Sequence, residues 1–105
     1  MSDFKELEIE FSGKGEVKGY EFKQIEKTGF GYVYEVVFKE TGQTHYEVFL
    51  RRENELYQTV TYPSSKTFGK YAWCIKDKEK AILKLYDISK NEVIKLINKE
   101  LSILG

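Results

Sequence analysis

The sequence predicts an α+β fold: an antiparallel β-meander sheet of four to six strands, followed by one or two C-terminal helices packed on one face. Three observations predict it. Apolar and polar residues alternate through the first two-thirds of the chain, after which the apolar spacing changes to three and four. Aromatic residues reach 15%, with eight Tyr and seven Phe, and flat side chains suit a pleated, half-buried surface. The one proline, Pro63, leaves the other residues free to donate to a strand ladder.

The elements follow in order. Residues 4–11 alternate, with Leu7, Ile9 and Phe11 on one side and Glu6, Glu8 and Glu10 on the other, which is the pattern of a half-buried strand. Ser12-Gly13-Lys14-Gly15 reads as a turn, and residues 16–26 as a second strand. Residues 30–39 give the clearest strand. Phe30, Tyr32, Tyr34, Val36 and Phe38 share one face, while Val33 and Val37 make the other apolar too, so this strand is placed centrally. Glu40-Thr41-Gly42-Gln43 is a hairpin turn into a strand at 44–52, and Glu53-Asn54 turns into a fifth at 55–62. A loop follows over 62–70, then a short last strand at 71–75. Asp77 opens a helical run carrying Ala81, Ile82, Leu85 and Ile88. Ser89-Lys90-Asn91-Glu92 has the form of a capping box, so it either starts a second helix with Val93, Leu96, Ile97 and Leu101 or interrupts a single one.

A length of 105 residues suits one hydrophobic core, and the chain reads as a single domain, 1–105. Seventeen bases balance seventeen acids, which argues against a dedicated duplex-DNA binder. The balance is uneven along the chain. Residues 1–16 hold five acids, beginning with Asp3, against two lysines, a net of −3; residues 66–100 hold nine lysines against five acids, a net of +4. A lone cysteine, Cys74, forms no internal disulfide and fits a reducing compartment. No apolar run approaches the ~20 residues that span a bilayer, and the acidic start lacks the apolar stretch of a secretory signal. A cytoplasmic location without membrane contact is expected.

Chemistry is sparse. His45 and Cys74 are the only residues of their types, and a catalytic pair would need mutual geometry and an orienting group. Between Trp73 and Ile75, Cys74 reads more simply as a small buried residue. One His and one Cys do not make a tetrahedral metal site. The row Glu6, Glu8 and Glu10 reads as a solvated strand face guarding a sheet edge, not a cation site. Gly13-Lys14-Gly15 and Gly69-Lys70 fall short of phosphate-loop spacing and read as turns. No catalytic residue, cofactor or metal is expected, and the chain is read as a non-enzyme. The candidate partner surface combines Lys66, Phe68, Lys70, Lys76, Lys78, Lys80 and Lys84 with Arg51 and Arg52, and the acidic Glu6, Glu8 and Glu10 at the other end. Lysines beside Phe68, Tyr71 and Trp73 suit single-stranded nucleic acid, whose bases stack on rings; a solvated helix face beside core aromatics is the simpler account.

Gly15-Glu16-Val17-Lys18-Gly19-Tyr20-Glu21-Phe22, His45-Tyr46-Glu47-Val48-Phe49, and Tyr62-Pro63-Ser64-Ser65 with Phe68-Gly69 and Ala72-Trp73 together resemble small proteins carried by bacterial phages and mobile elements. The resemblance covers roughly residues 11–88 and carries no functional motif. It implies a class: such proteins often inhibit host defence by binding a host protein or ribonucleoprotein, with anti-CRISPR proteins as the best-known example. A fainter likeness is to the WGR domain, a nucleic-acid-binding sheet with a helix, although the Trp-Gly-Arg triplet is absent. The expectation is therefore a small intracellular binding protein acting on a host protein or ribonucleoprotein complex. The alternatives are a single-stranded nucleic-acid module contacting RNA directly, or a structural homo-oligomer.

Overall fold

A computed structural model describes residues 4–104; Asp3, counted above in the acidic N-terminus, lies outside them. Five strands form one antiparallel sheet in the order β1-β2-β3-β4-β7: β1 Glu10–Ser12, β2 Tyr20–Lys27, β3 Gly31–Phe38, β4 Thr44–Leu50 and β7 Ala72–Ile75. A separate hairpin joins β5 Glu53–Asn54 to β6 Thr59–Val60, and one helix, α1 Lys78–Leu104, closes the chain. The α+β class, the meander and the central place of β3 agree with the sequence reading.

Three expected elements differ. The first strand is short: only Glu10–Ser12 pair with β2, and Lys5 instead bridges Thr59 of β6. The alternation of residues 4–11 fails with it, because Leu7 and Phe11 pack inward while Ile9 is exposed. Of the expected fifth strand, residues 55–58 form a turn and only Thr59–Val60 pair, with Glu53–Asn54, where a turn was expected, and with Lys5, so it never joins the main sheet. The helix does not break at residue 89. Ser89 is buried, and its hydroxyl bonds that of Thr28 at 2.7 Å, tying the β2–β3 turn to α1 instead of starting a second helix. The helix begins where Asp77 Oδ1 accepts the Lys80 N–H at 2.9 Å, an N-cap that satisfies one of the free first-turn donors.

Both sheet faces are covered, by unlike material. Helix α1 packs across β3, β4 and β7, burying Val33 and Val48 against Ala81, Leu85 and Ile88. The other face carries Phe22, Tyr32, Tyr34, Val36 and Phe49, the richer aromatic side of β3 included. No helix covers it. Phe4, Leu7 and Phe11 from the N-terminal segment pack on it, with Val60, Tyr62 and Phe68 from the stretch after β5.

Two local features fix this arrangement. At Gly31 a Cβ would stand 2.6 Å from the Phe49 carbonyl oxygen and 3.0 Å from Leu85 Cδ1, so the closeness of β3, β4 and α1 requires glycine there. A bulge between Gln24 and Glu26 shifts the β2–β3 register. Phe22 pairs Val36 and Lys27 pairs Tyr32, so an odd and an even residue of β2 share the aromatic face. Lys27 thereby reaches Glu6 at 3.3 Å.

Candidate functional site

The aromatic face is incompletely closed. A cleft of about 1240 Å³ opens between the N-terminal segment with the β1–β2 turn on one side and residues 62–68 on the other. Leu7, Phe11, Phe22, Tyr62 and Phe68 make its walls apolar. Phe11 stacks on Phe22 with centroids 4.7 Å apart. Tyr62 stands edge-on to Phe11, Phe22, Tyr34 and Phe49 at 5.6, 5.4, 5.3 and 4.7 Å. Edge-to-face geometry brings the positive rim of one ring to the negative face of the next, which locks the wall in place. The near wall rests on a tight turn: a Cβ on Gly13 would lie 2.1 Å from the Val17 carbonyl oxygen, so a side chain there would force the turn open.

Glu47 belongs to the cleft lining. Its two oxygens are both engaged: Tyr62 O–H donates at 2.5 Å to one, and His45 Nε2 lies 3.0 Å from the other. Burial, then the neighbouring Glu47 charge, push the Tyr62 phenol above its ordinary range. Cys74 sits opposite Glu47 in the β4–β7 ladder and also lines the cleft. It is exposed, not buried as the sequence suggested, because the aromatic face is open at this edge. Desolvation by its neighbours and then Glu47 raise its pKa, which keeps the sulfur a thiol and makes it a poor nucleophile. His45 is aligned with Glu47, and Glu47 is the carboxylate nearest Cys74 along the ladder. Of these groups it is Glu47 that bonds the Tyr62 hydroxyl. Around the mouth, Glu8 and Glu16 with Glu47 below set three carboxylates against the single Lys14.

The residues singled out from sequence divide among several places. Glu6 and Arg51, expected on opposite charged surfaces, meet: Arg51 Nη2 bonds Glu6 Oε2 at 2.6 Å and its other arm bonds Glu53. Tyr32 O–H donates to Glu6 at 2.6 Å. Arg51 first, then Tyr32, hold the Glu6 carboxyl down at about 2, so Glu6, although exposed as expected, is the clasp of the N-terminal segment. Glu8 stands at the cleft mouth, its backbone carbonyl accepting the Tyr34 hydroxyl at 2.7 Å, and Glu10 is exposed on β1. Phe68 is half-buried in the cleft wall instead of free for stacking.

The remaining cations do not surround open rings. Lys84 lies over Trp73 at 4.4 Å and Arg52 over Tyr71 at 4.3 Å, each occupying a face that a base would need. Lys66 and Lys70 flank Phe68 in the loop before β7, while Lys76, Lys78 and Lys80 are exposed around the start of α1. Among the described residues no three His, Cys, Asp or Glu side chains gather to hold a metal ion, and no helix is long and apolar enough to cross a membrane.

The sequence reading missed Leu7, Phe11, Phe22, Glu47 and Tyr62 as a site. Only the aromatic weight of one strand face hinted at it, since the cleft forms where two irregular segments fail to meet. Comparison with known protein families, curated proteins and solved structures finds no match.

Proposed function

We propose that this chain is a non-enzymatic binding protein whose cleft on the aromatic face takes an apolar segment, flanked by Lys or Arg, from a partner protein. One observation carries the reading: a pre-formed, ring-walled cleft of about 1240 Å³ under an acidic mouth. Apolar walls with a few placed polar groups are the usual make-up of a recognition site. Its size suits several side chains of an extended segment. Glu8, Glu16 and Glu47 oppose phosphate and favour cationic flanks. The resemblance to small phage and mobile-element proteins gives this reading a finer form, an anti-CRISPR-like inhibitor that occupies a basic-apolar surface of a host protein or ribonucleoprotein complex.

Selection from a displayed random-peptide library tests the proposal. The expected binders combine two or more large apolar residues with Lys or Arg. Ser65→Trp, which fills the mouth from an exposed position, should abolish their binding, and Glu8→Lys with Glu16→Lys should weaken it. Binders that are acidic, or that ignore Ser65→Trp, would overturn it. For the finer form, capture from bacterial lysate should survive nuclease and disappear with Ser65→Trp. Capture lost to nuclease and at raised salt would instead favour direct RNA contact through Lys66, Lys70, Lys76, Lys78 and Lys80.

A further inference from the structure

Past Ser89 helix α1 leaves the sheet. Of residues 91–102, all but Glu92 are exposed. An unsupported helical arm in water is expected to be polar all round, yet Val93, Ile97 and Leu101 are 41%, 52% and 60% exposed. At 3.6 residues per turn, Leu83, Tyr86, Lys90, Val93, Ile97 and Glu100 fall on one line, at alternating spacings of three and four. Leu96 borders that line on one side, Ile94 and Leu101 on the other, all exposed. The line lies roughly 140° around the helix from Ala81, Leu85 and Ile88, so it is a second apolar seam, separate from the one on the sheet.

We propose that this seam pairs α1 with α1 of a second copy of the chain, antiparallel, about a two-fold axis near Lys95. The charges within the seam choose both the partner and its direction. A parallel pair would stack Lys90 on Lys90 and Glu100 on Glu100. An antiparallel pair centred on residue 95 sets Val93 against Ile97 of the second copy and Lys90 against its Glu100, and the two-fold repeats each contact. A polar pair within an apolar seam fixes register at some cost in stability. Centred on residue 95, the two helices overlap from Tyr86 to Leu104, roughly 27 Å along the axis. Its apolar borders widen the contact: Leu96 of one copy meets Ile94 of the other, twice about the two-fold axis. The sheet lies well around the helix from the seam, and the aromatic cleft is on the sheet's far face, so pairing leaves both clefts open.

Sedimentation equilibrium of the full chain tests this. The expected mass is twice 12.4 kDa, falling to the single-chain value in Ile97→Asp. Lys90→Glu alone and Glu100→Lys alone should each weaken association about tenfold or more, and the combined exchange should restore it to near the parent value. Circular dichroism checks that the exposed-site variants keep their helix. A single-chain mass at every concentration would overturn the proposal. So would a dimer indifferent to Ile97→Asp, or one that the combined exchange does not restore.

Discussion

The two faces of the sheet are closed by different means, and the difference separates stability from recognition. On the helix face, Val33, Val48, Ala81 and Leu85 have no exposure at all. A helix is a straight rod with a continuous apolar stripe, so one element packs across three strands. The aromatic face is covered by loops, short strands and single helical turns, held by side-chain bonds: Tyr34 to the Glu8 carbonyl, Tyr32 and Arg51 to Glu6, Tyr62 to Glu47. Rings bury more area each than Val or Leu, but the segments laid over them do not meet, and a cleft remains. Rigid packing lies under α1, while the surface able to accept a partner lies on the face that loops cover.

Four substitutions sharpen that contrast. The largest loss should come from Leu85→Ala on the helix face, about 2–5 kcal/mol in urea unfolding, because the cavity is enclosed on every side. Tyr62→Phe should cost roughly 1.5–3 kcal/mol, since a bond to a charged carboxylate is lost in the cleft wall; a loss below that of Leu85→Ala is the expected order. Gly31→Ala should cost about 1–3 kcal/mol through the clash with the Phe49 carbonyl, leaving peptide binding in the folded fraction intact. If Gly31→Ala abolished binding at low temperature, the two faces would be coupled more tightly than their separate cores imply.

The smallest effect concerns acid. Glu6 titrates near 2 in the folded chain against 4.5 when unperturbed, with Arg51 as the main cause. A depressed carboxyl pKa stabilises the fold above pH 4.5, and that contribution disappears as the pH falls from 4.5 toward 2. Glu6→Gln should therefore be less stable than the parent at neutral pH and should lose less on acidification through this window. Because Glu6 is partly exposed, solvent screening keeps the difference small. Parallel urea titrations at pH 7 and pH 3 measure it, and equal pH dependence in both proteins would show that the clasp does not hold the N-terminal segment.

Much of the fold was legible because its signals are local. The alternation of β3, the Gly42 hairpin and the Asp77 cap each lie within a few residues of the structure they specify. What misled were equally local signals with a distant competitor. Residues 4–11 alternate like a strand, but Glu6 finds Arg51 and Lys27, and Leu7 and Phe11 find the aromatic face, so the segment crosses loosely. Ser89-Lys90-Asn91-Glu92 spells a helix start, yet the Ser89 hydroxyl is taken by Thr28, 61 residues away in sequence. The lysine and aromatic patch looked like one surface because its residues are close in sequence; in space Phe68 belongs to the cleft wall and Trp73 lies under Lys84 on the helix side.

By itself the sequence determined the class of fold, the central strand, the helical C-terminal end and the balance of charge. These follow from periodicity, turn chemistry and composition, which act along the chain. Tertiary structure alone decided which face α1 would take, that the bulge would turn Lys27 toward Glu6, and that a ring-walled cleft would stay open beside Glu47. Those outcomes depend on how volumes and charges far apart in sequence meet. A competition between distant partners is settled only once they are brought within a few ångströms of one another.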